Sequence, residues 1–137
     1  HDYISTIAAL YRDNQFHNFE HASHVAMAVG KLLSRVVNPK IEGVETPNCE
    51  VAKASLLHDY TYGITSDPLI QLACILSAII HDLDHPGVPN STLVKENSQL
   101  AKVYKRSVAE QNSFDMAWNL FMDDQFKDFR MAACKND

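Results

Sequence analysis

The chain has 137 residues, a formal net charge of −5 and a hydrophobic fraction of 46%, enough for one ordinary domain or a piece of a larger one. That composition excludes a mainly disordered chain, and the mixed charges contain no Lys/Arg block of the kind that tracks a nucleic-acid backbone or an anionic membrane. Nucleic acid and lipid are therefore not expected partners, whereas a small phosphate ester stays open, because two divalent cations would place about four positive charges beside it.

The three cysteines, Cys49, Cys74 and Cys134, are far apart and form no C-x-x-C, which argues against a disulfide scaffold and a zinc ribbon. A reducing, intracellular and cytoplasmic setting fits. The longest strongly apolar stretch, Leu72 to Ile80, is much shorter than the roughly 20 residues of a membrane span, and no signal peptide is visible. No membrane segment is expected in this chain, with attachment through other parts of a parent protein left open. His1 in place of Met, and the helix-like run into Asp137 without a stop signal, read as an excerpt from a longer protein.

In chain order the pattern is almost entirely helical. Ile4 to Tyr11 is apolar-rich and short, and Asp13-Asn14 break it. From His17 to about Val37, the positions His21, Val25, Ala28, Leu32 and Val36 recur at spacings of three and four and predict a long amphipathic helix. Asn38-Pro39 ends it, and the stretch to Asn48 reads as a loop. Val51 to His58 predicts a short helix. Ser66-Asp67-Pro68 is a helix start, and Leu69 to Ile80, apolar nearly all round, predicts a helix central to the bundle. Pro86-Gly87 stops it. Ser91 to Tyr104 is helical with a break near Asn97-Ser98. Ser107 then caps a helix to about Met122, whose aromatic stripe of Phe114, Trp118 and Phe121 is read as core, and Asp124 opens a last helix. No alternating run predicts a strand, and the fold class is all-α, a multi-helix bundle.

Two clusters carry the chemistry: Phe16-His17-Asn18-Phe19-Glu20-His21, and His81-Asp82-Leu83-Asp84-His85-Pro86-Gly87. On a helix His17 and His21 would share a face one turn apart, so a metal ligand and a proton donor could sit side by side. His81 and Asp82 are adjacent, which suits a histidine holding one metal while the carboxylate bridges to a second, with His85 close enough to act on a bound water. Two such metals would lower the pKa of a bridging water and orient a phosphodiester, and an imidazole could protonate the leaving alkoxide, an effect typically of order 100- to 10,000-fold. A merely structural polar turn beside a buried helix would cost several kcal/mol, of order the penalty for unsatisfied buried polar groups.

These segments resemble the two signature stretches of class I cyclic nucleotide phosphodiesterases. The resemblance continues through Asn90, Asn97-Ser98-Gln99-Leu100-Ala101, Tyr104 and Ser107-Val108-Ala109-Glu110. It implies that residues 1–137 are the N-terminal and middle part of a larger helical catalytic domain. It implies hydrolysis of cAMP, cGMP or both to the 5′-nucleotide by a metal-bridging hydroxide. His17 would be the general acid, and His21, His81 and Asp82 the metal ligands, with Asp82 bridging Zn2+ and Mg2+ (Mn2+ as the alternative). His85 and Glu110 would orient water around the second metal, and Asn90 would line the same region. A homodimer through segments outside this chain is compatible with it.

This chain departs from the family at several places. Phe16 stands where Tyr is usual, and Gln111-Asn112-Ser113 replace Asn-His-His after Glu110, so two imidazoles near the second metal are absent. The loop before Ser107 is one residue shorter. The family's fourth zinc ligand, an aspartate, and the glutamine and phenylalanine that hold the purine lie further along than residue 137, so the excerpt alone is not expected to be a competent enzyme. Two other readings compete: a degenerate domain that binds cyclic nucleotide as a regulator, and a different His-Asp metal phosphohydrolase. Glu110 also fits a capping box with Ser107. His24 and the pair His58-Asp59 are read as structural.

Overall fold

Helix-forming stretches fill the chain between proline, glycine and asparagine breaks, and the computed structural model describes residues 2–35, 50–64 and 66–134. The order is α1 (Asp2–Ala9), α2 (Phe19–Leu33), α3 (Glu50–Thr61), α4 (Pro68–Ile80), α5 (Asn90–Lys95), α6 (Gln99–Val103), α7 (Val108–Met122), a 3₁₀ turn (Asp124–Phe126) and α8 (Lys127–Ala133). No strand occurs among the described residues, and the all-α expectation holds. The end of the long helix at Val36-Val37, the Asn38 to Asn48 loop and Cys49 lie outside the described residues.

Local signals set most boundaries. Asp67 caps α4, its side chain accepting from the Leu69 N–H, with Pro68 in the first turn where a missing N–H costs nothing. The break between α5 and α6 falls at Asn97, in the left-handed region at φ +50°, and Ser98 caps α6 by accepting from the Ala101 N–H. Asp123 rather than Asp124 caps the last turn, accepting from Gln125.

The main core joins both ends of the described chain to the turn after α4. Tyr3 and Ile7 of α1, Leu83 beyond α4, Ala117 of α7 and Phe126 are buried together, with Leu76, Ile79, Ile80 and Phe121 packed against them. A second, smaller core gathers Leu93, Val108 and Ala109 under Val88, Leu100 and Tyr104. Helix α2 packs along α4, with Ile75 Cδ1 only 3.6 Å from where a Cβ on Gly30 would be.

Four expectations need correction. The helix from His17 begins at Phe19, because Asn18 takes the extended cap conformation and leaves His17 in the incoming segment. The packed face of α2 is Ala22, Val25, Ala26, Val29 and Leu33, so Ala28 and Leu32 of the anticipated stripe are exposed. Small residues on that face let α4 come close. Helix α4 lies between α2 and α7 yet is only half-buried along most of its length, with Ala78 alone fully buried. In α7 the buried stripe is Ala109, Asn112, Ser113 and Ala117, whereas Phe114 and Trp118 are 57% and 53% exposed.

Candidate metal centre

Helix α4 delivers the second cluster to the surface of the core. His81 ends the helix in right-handed conformation, and the turn is closed by Leu83 N–H to Ile80 O (3.1 Å) and His85 N–H to Asp82 O (3.0 Å). Leu83 points into the main core and is fully buried, which gives the turn carrying Asp82, Asp84 and His85 a fixed root. Asp84 at φ +56° and Gly87 at φ +77° make the reversals; a short polar side chain tolerates the left-handed region better than most.

The first cluster arrives from the N-terminus of α2. The Asn18 side chain accepts the His21 N–H (2.9 Å) and donates to Asn14 O (3.0 Å), fixing both the first turn of the helix and the segment before it. His21 therefore points from the helix, while His17 approaches from the segment ahead of it.

Asp82 is the meeting point. His81 Nε2 lies 3.0 Å and His21 Nε2 3.7 Å from the same oxygen, Asp82 Oδ2. Asp82 is also grouped with His17 and His85, whose rings stack with centroids 3.8 Å apart. Each trio, His21/His81/Asp82 and His17/Asp82/His85, brings one ligand atom per residue within 4.8 Å of the others. Phe16, 60% exposed, lies over His21 at 4.4 Å.

The second partners of the imidazoles define which nitrogen is available. His81 Nδ1 lies 2.9 Å from the Ala78 carbonyl, which only accepts, so Nδ1 carries the proton and the Nε2 lone pair faces Asp82. Two acceptors 3.0 Å apart require a shared proton or a cation between them, and a borderline divalent metal fits an N/O donor set of this kind. His85 is the reverse: the Gly87 N–H donates to its Nδ1 (3.0 Å), so neutral His85 presents Nε2–H as a donor. Burial, with a smaller contribution from His17, holds the His85 imidazole below its ordinary pKa and favours that neutral form.

Helix α7 brings Glu110 to the same region. Asn90 Nδ2 donates to Glu110 Oε2 (2.8 Å), and this bond holds the Glu110 carboxyl below the usual carboxylate range. Asn90 Oδ1 accepts the Ala109 N–H (2.9 Å). The expected capping box is thus replaced: Ser107 sits in the left-handed region at φ +44° and makes no side-chain cap, so Asn90 closes the helix start instead. His24 and His58 are exposed and outside both trios, with His58 against Ser66 Oγ at 3.1 Å. Cys74 and Cys134 are free thiols.

Residues that the linear pattern did not single out frame the centre. The Tyr11 hydroxyl, which burial pushes up to about 12, donates to Ile79 O (2.6 Å) and touches the backbone of Asp82. Arg12 makes a two-pronged pair with Asp84 (2.6 and 3.1 Å), and Asn14 Nδ2 donates to His85 O (3.1 Å). Their partners are about seventy positions away in the chain, so no local spacing marks them.

Residues 16–134 match the family described as 3'5'-cyclic nucleotide phosphodiesterase. A probable 3′,5′-cyclic-AMP phosphodiesterase of Caenorhabditis elegans is 33% identical over 122 residues, covering 88% of this chain and 14% of that protein. A 3′,5′-cyclic-AMP phosphodiesterase isoform of Drosophila melanogaster is 34% identical over 124 residues (89% and 15%), and a human cGMP-inhibited 3′,5′-cyclic phosphodiesterase is 32% identical over 146 (88% and 12%). The chain therefore spans about one-seventh of the curated relatives' length. No helix among the described residues is long and apolar enough to cross a membrane. With the match running through every residue of the centre from His17 to Glu110, the chain belongs to the 3′,5′-cyclic nucleotide phosphodiesterase family.

Proposed function

We propose that residues 1–137 are the N-terminal and middle part of a larger helical catalytic domain that hydrolyses a 3′,5′-cyclic nucleotide to the 5′-monophosphate. The observation that carries this is Asp82, 7% exposed, shared by two trios of ligand-bearing side chains, one with His21 and His81 and one with His17 and His85. His21, His81 and Asp82 would hold one divalent cation, Zn2+ by the nature of the donors, and Asp82 would share a second, Mg2+ or Mn2+, on the His17 and His85 side. Such a pair, when bound, lowers the pKa of a water and offsets the charge on the phosphate.

The chain's own groups do the rest. His17 gives its proton to the departing 3′ oxygen as that oxygen leaves phosphorus; water supplies the hydroxyl that bonds to phosphorus and, over the cycle, the proton that restores His17. His85 offers its Nε2–H to a water, since its other nitrogen is taken by Gly87. Glu110, kept anionic by Asn90, accepts from water nearby. The free Cys74 and Cys134 fit a reducing, cytoplasmic setting.

Two relatives are named for cyclic AMP and the human one as cGMP-inhibited, so both nucleotides belong in the assay. The full-length protein, loaded with Zn2+ and Mg2+, is expected to hydrolyse at least one, with chelator, Asp82→Asn and His17→Ala each removing most of the turnover. A folded, metal-loaded protein that binds cyclic nucleotide without turnover would replace this reading with a regulatory one.

A further inference from the structure

Helix α7 carries Asn112 and Ser113 where the family resemblance leads one to expect two imidazoles, and neither residue is turned to Asp82. Both are buried, 9% and 1% exposed. The Asn112 amide donates to Asp84 Oδ2 at 3.1 Å, and Ser113 Oγ lies 2.6 Å from Leu83 O and 3.0 Å from Ala109 O, its one proton serving the shorter contact. Leu83 and Asp84 are the two residues that separate Asp82 from His85. Asp84 is also the residue that takes the Arg12 guanidinium, five positions before His17.

We propose that Asn112 and Ser113 are positioning residues: by pinning Leu83 and Asp84 they set Asp82 and His85 relative to one another, and through the Asp84–Arg12 pair they tie that turn to the segment carrying His17. The substitution is thus an exchange of role. Where the resemblance implies two imidazoles near the second metal, this chain has smaller groups that grip the loop holding its ligands. Ser113 leaves no room for an imidazole without displacing the Leu83 carbonyl, so the turn and the helix are matched in this chain. The proposal rests on the hydrolase reading only in what the placed groups are for; the grip itself is read from the contacts.

The test uses the full-length protein with Mn2+ as the probe metal, measuring Mn2+ affinity by calorimetry alongside kcat, KM and melting temperature. Asn112→Ala is expected to weaken Mn2+ binding by on the order of ten- to a hundredfold and to lower kcat similarly, with KM within about twofold. A folded Asn112→Ala protein with wild-type Mn2+ affinity, losing only melting temperature, would overturn the proposal. Should that variant not fold, Ser113→Ala gives the same reading, since it removes only the hydroxyl that holds the Leu83 carbonyl and leaves the volume nearly unchanged: weakened Mn2+ binding supports the grip, and unchanged binding overturns it. Wild-type protein that binds Mn2+ yet hydrolyses neither nucleotide would sink the hydrolase reading while leaving the Mn2+ comparison to decide the positioning role. Failure of the wild type to bind Mn2+ would overturn both.

Discussion

Asn90 grips α7 twice, accepting the Ala109 N–H at 2.9 Å through Oδ1 and donating to Glu110 Oε2 at 2.8 Å through Nδ2. One side chain at the start of α5 thus caps α7 and orients its carboxylate. Asn90→Ala is expected to cost about 1–2 kcal/mol, the size of a lost helix cap, in urea unfolding of the full-length protein. Ser107→Gly should be neutral or slightly stabilising, because Ser107 caps nothing and occupies the left-handed region that glycine prefers. A larger loss at Ser107 than at Asn90 would reverse this assignment.

Metal should stabilise the fold as well as serve chemistry. If His21, His81 and Asp82 form a ligand set only when folded, Zn2+ at about a hundred times its dissociation constant adds about 2.7 kcal/mol and raises the melting temperature. His81→Ala and Asp82→Asn should each abolish most of that increment while melting close to the metal-free wild type. An increment that survives in both variants would place the metal elsewhere.

Leu83 is the root of the turn, fully buried between Asp82 and Asp84. Leu83→Ala is expected to lose about 2–5 kcal/mol, as large-to-small changes in cores do. Because the turn also loses its anchor, metal affinity should fall with it, and calorimetry on the folded fraction reads this directly. Stability loss with metal affinity retained would show the hydrogen bonds to α7 suffice to hold the turn.

At alkaline pH one contributing group, beside Tyr11, is Tyr3, packed edge-on against Phe126 with centroids 4.9 Å apart. Burial raises its hydroxyl above the ordinary value. The unfolded chain ionises at about pH 10 while the folded one resists, so this contribution is present below pH 10 and is lost as pH rises through the raised value. Tyr3→Phe should therefore flatten part of the alkaline limb in melting scans. Parallel curves for the two proteins would count against it.

Expressed by itself, this chain is expected to self-associate, since Met27, Leu32, Phe114 and Trp118 are all more than half exposed. Light scattering checks it. A monomer with a sharp, cooperative melting transition would contradict the expectation.

Much of this architecture is legible in the linear sequence because its determinants are local. Asp67-Pro68 and Asn97-Ser98 mark boundaries by their own backbone preferences, whereas α4 ends at Ile80, before Pro86-Gly87; His81, Asp82 and His85 are placed by adjacency alone. What escapes is whatever depends on which face a helix turns inward. Phe114 and Trp118 read as core by hydropathy, yet the buried stripe beside them holds Asn112 and Ser113, whose hydrogen bonds to Asp84 and Leu83 satisfy them in place. The apolar spacing from His17 onward predicts Asn18 inside a helix; the structure gives it the extended backbone of a cap. The partners of Tyr11, Arg12 and Asn14 are invisible to any window of practical length.

Those three long-range ties have a kinetic consequence. Tyr11 to Ile79, Arg12 to Asp84 and Asn14 to His85 each close a loop of 68 to 72 residues. Loop-closure entropy grows with length, so contacts of this span are disfavoured until much of the intervening chain has ordered. The imidazoles of the two clusters therefore remain strangers through the early stages of folding, and tight metal capture becomes a late event, a chemical clock that starts only when the native topology has closed.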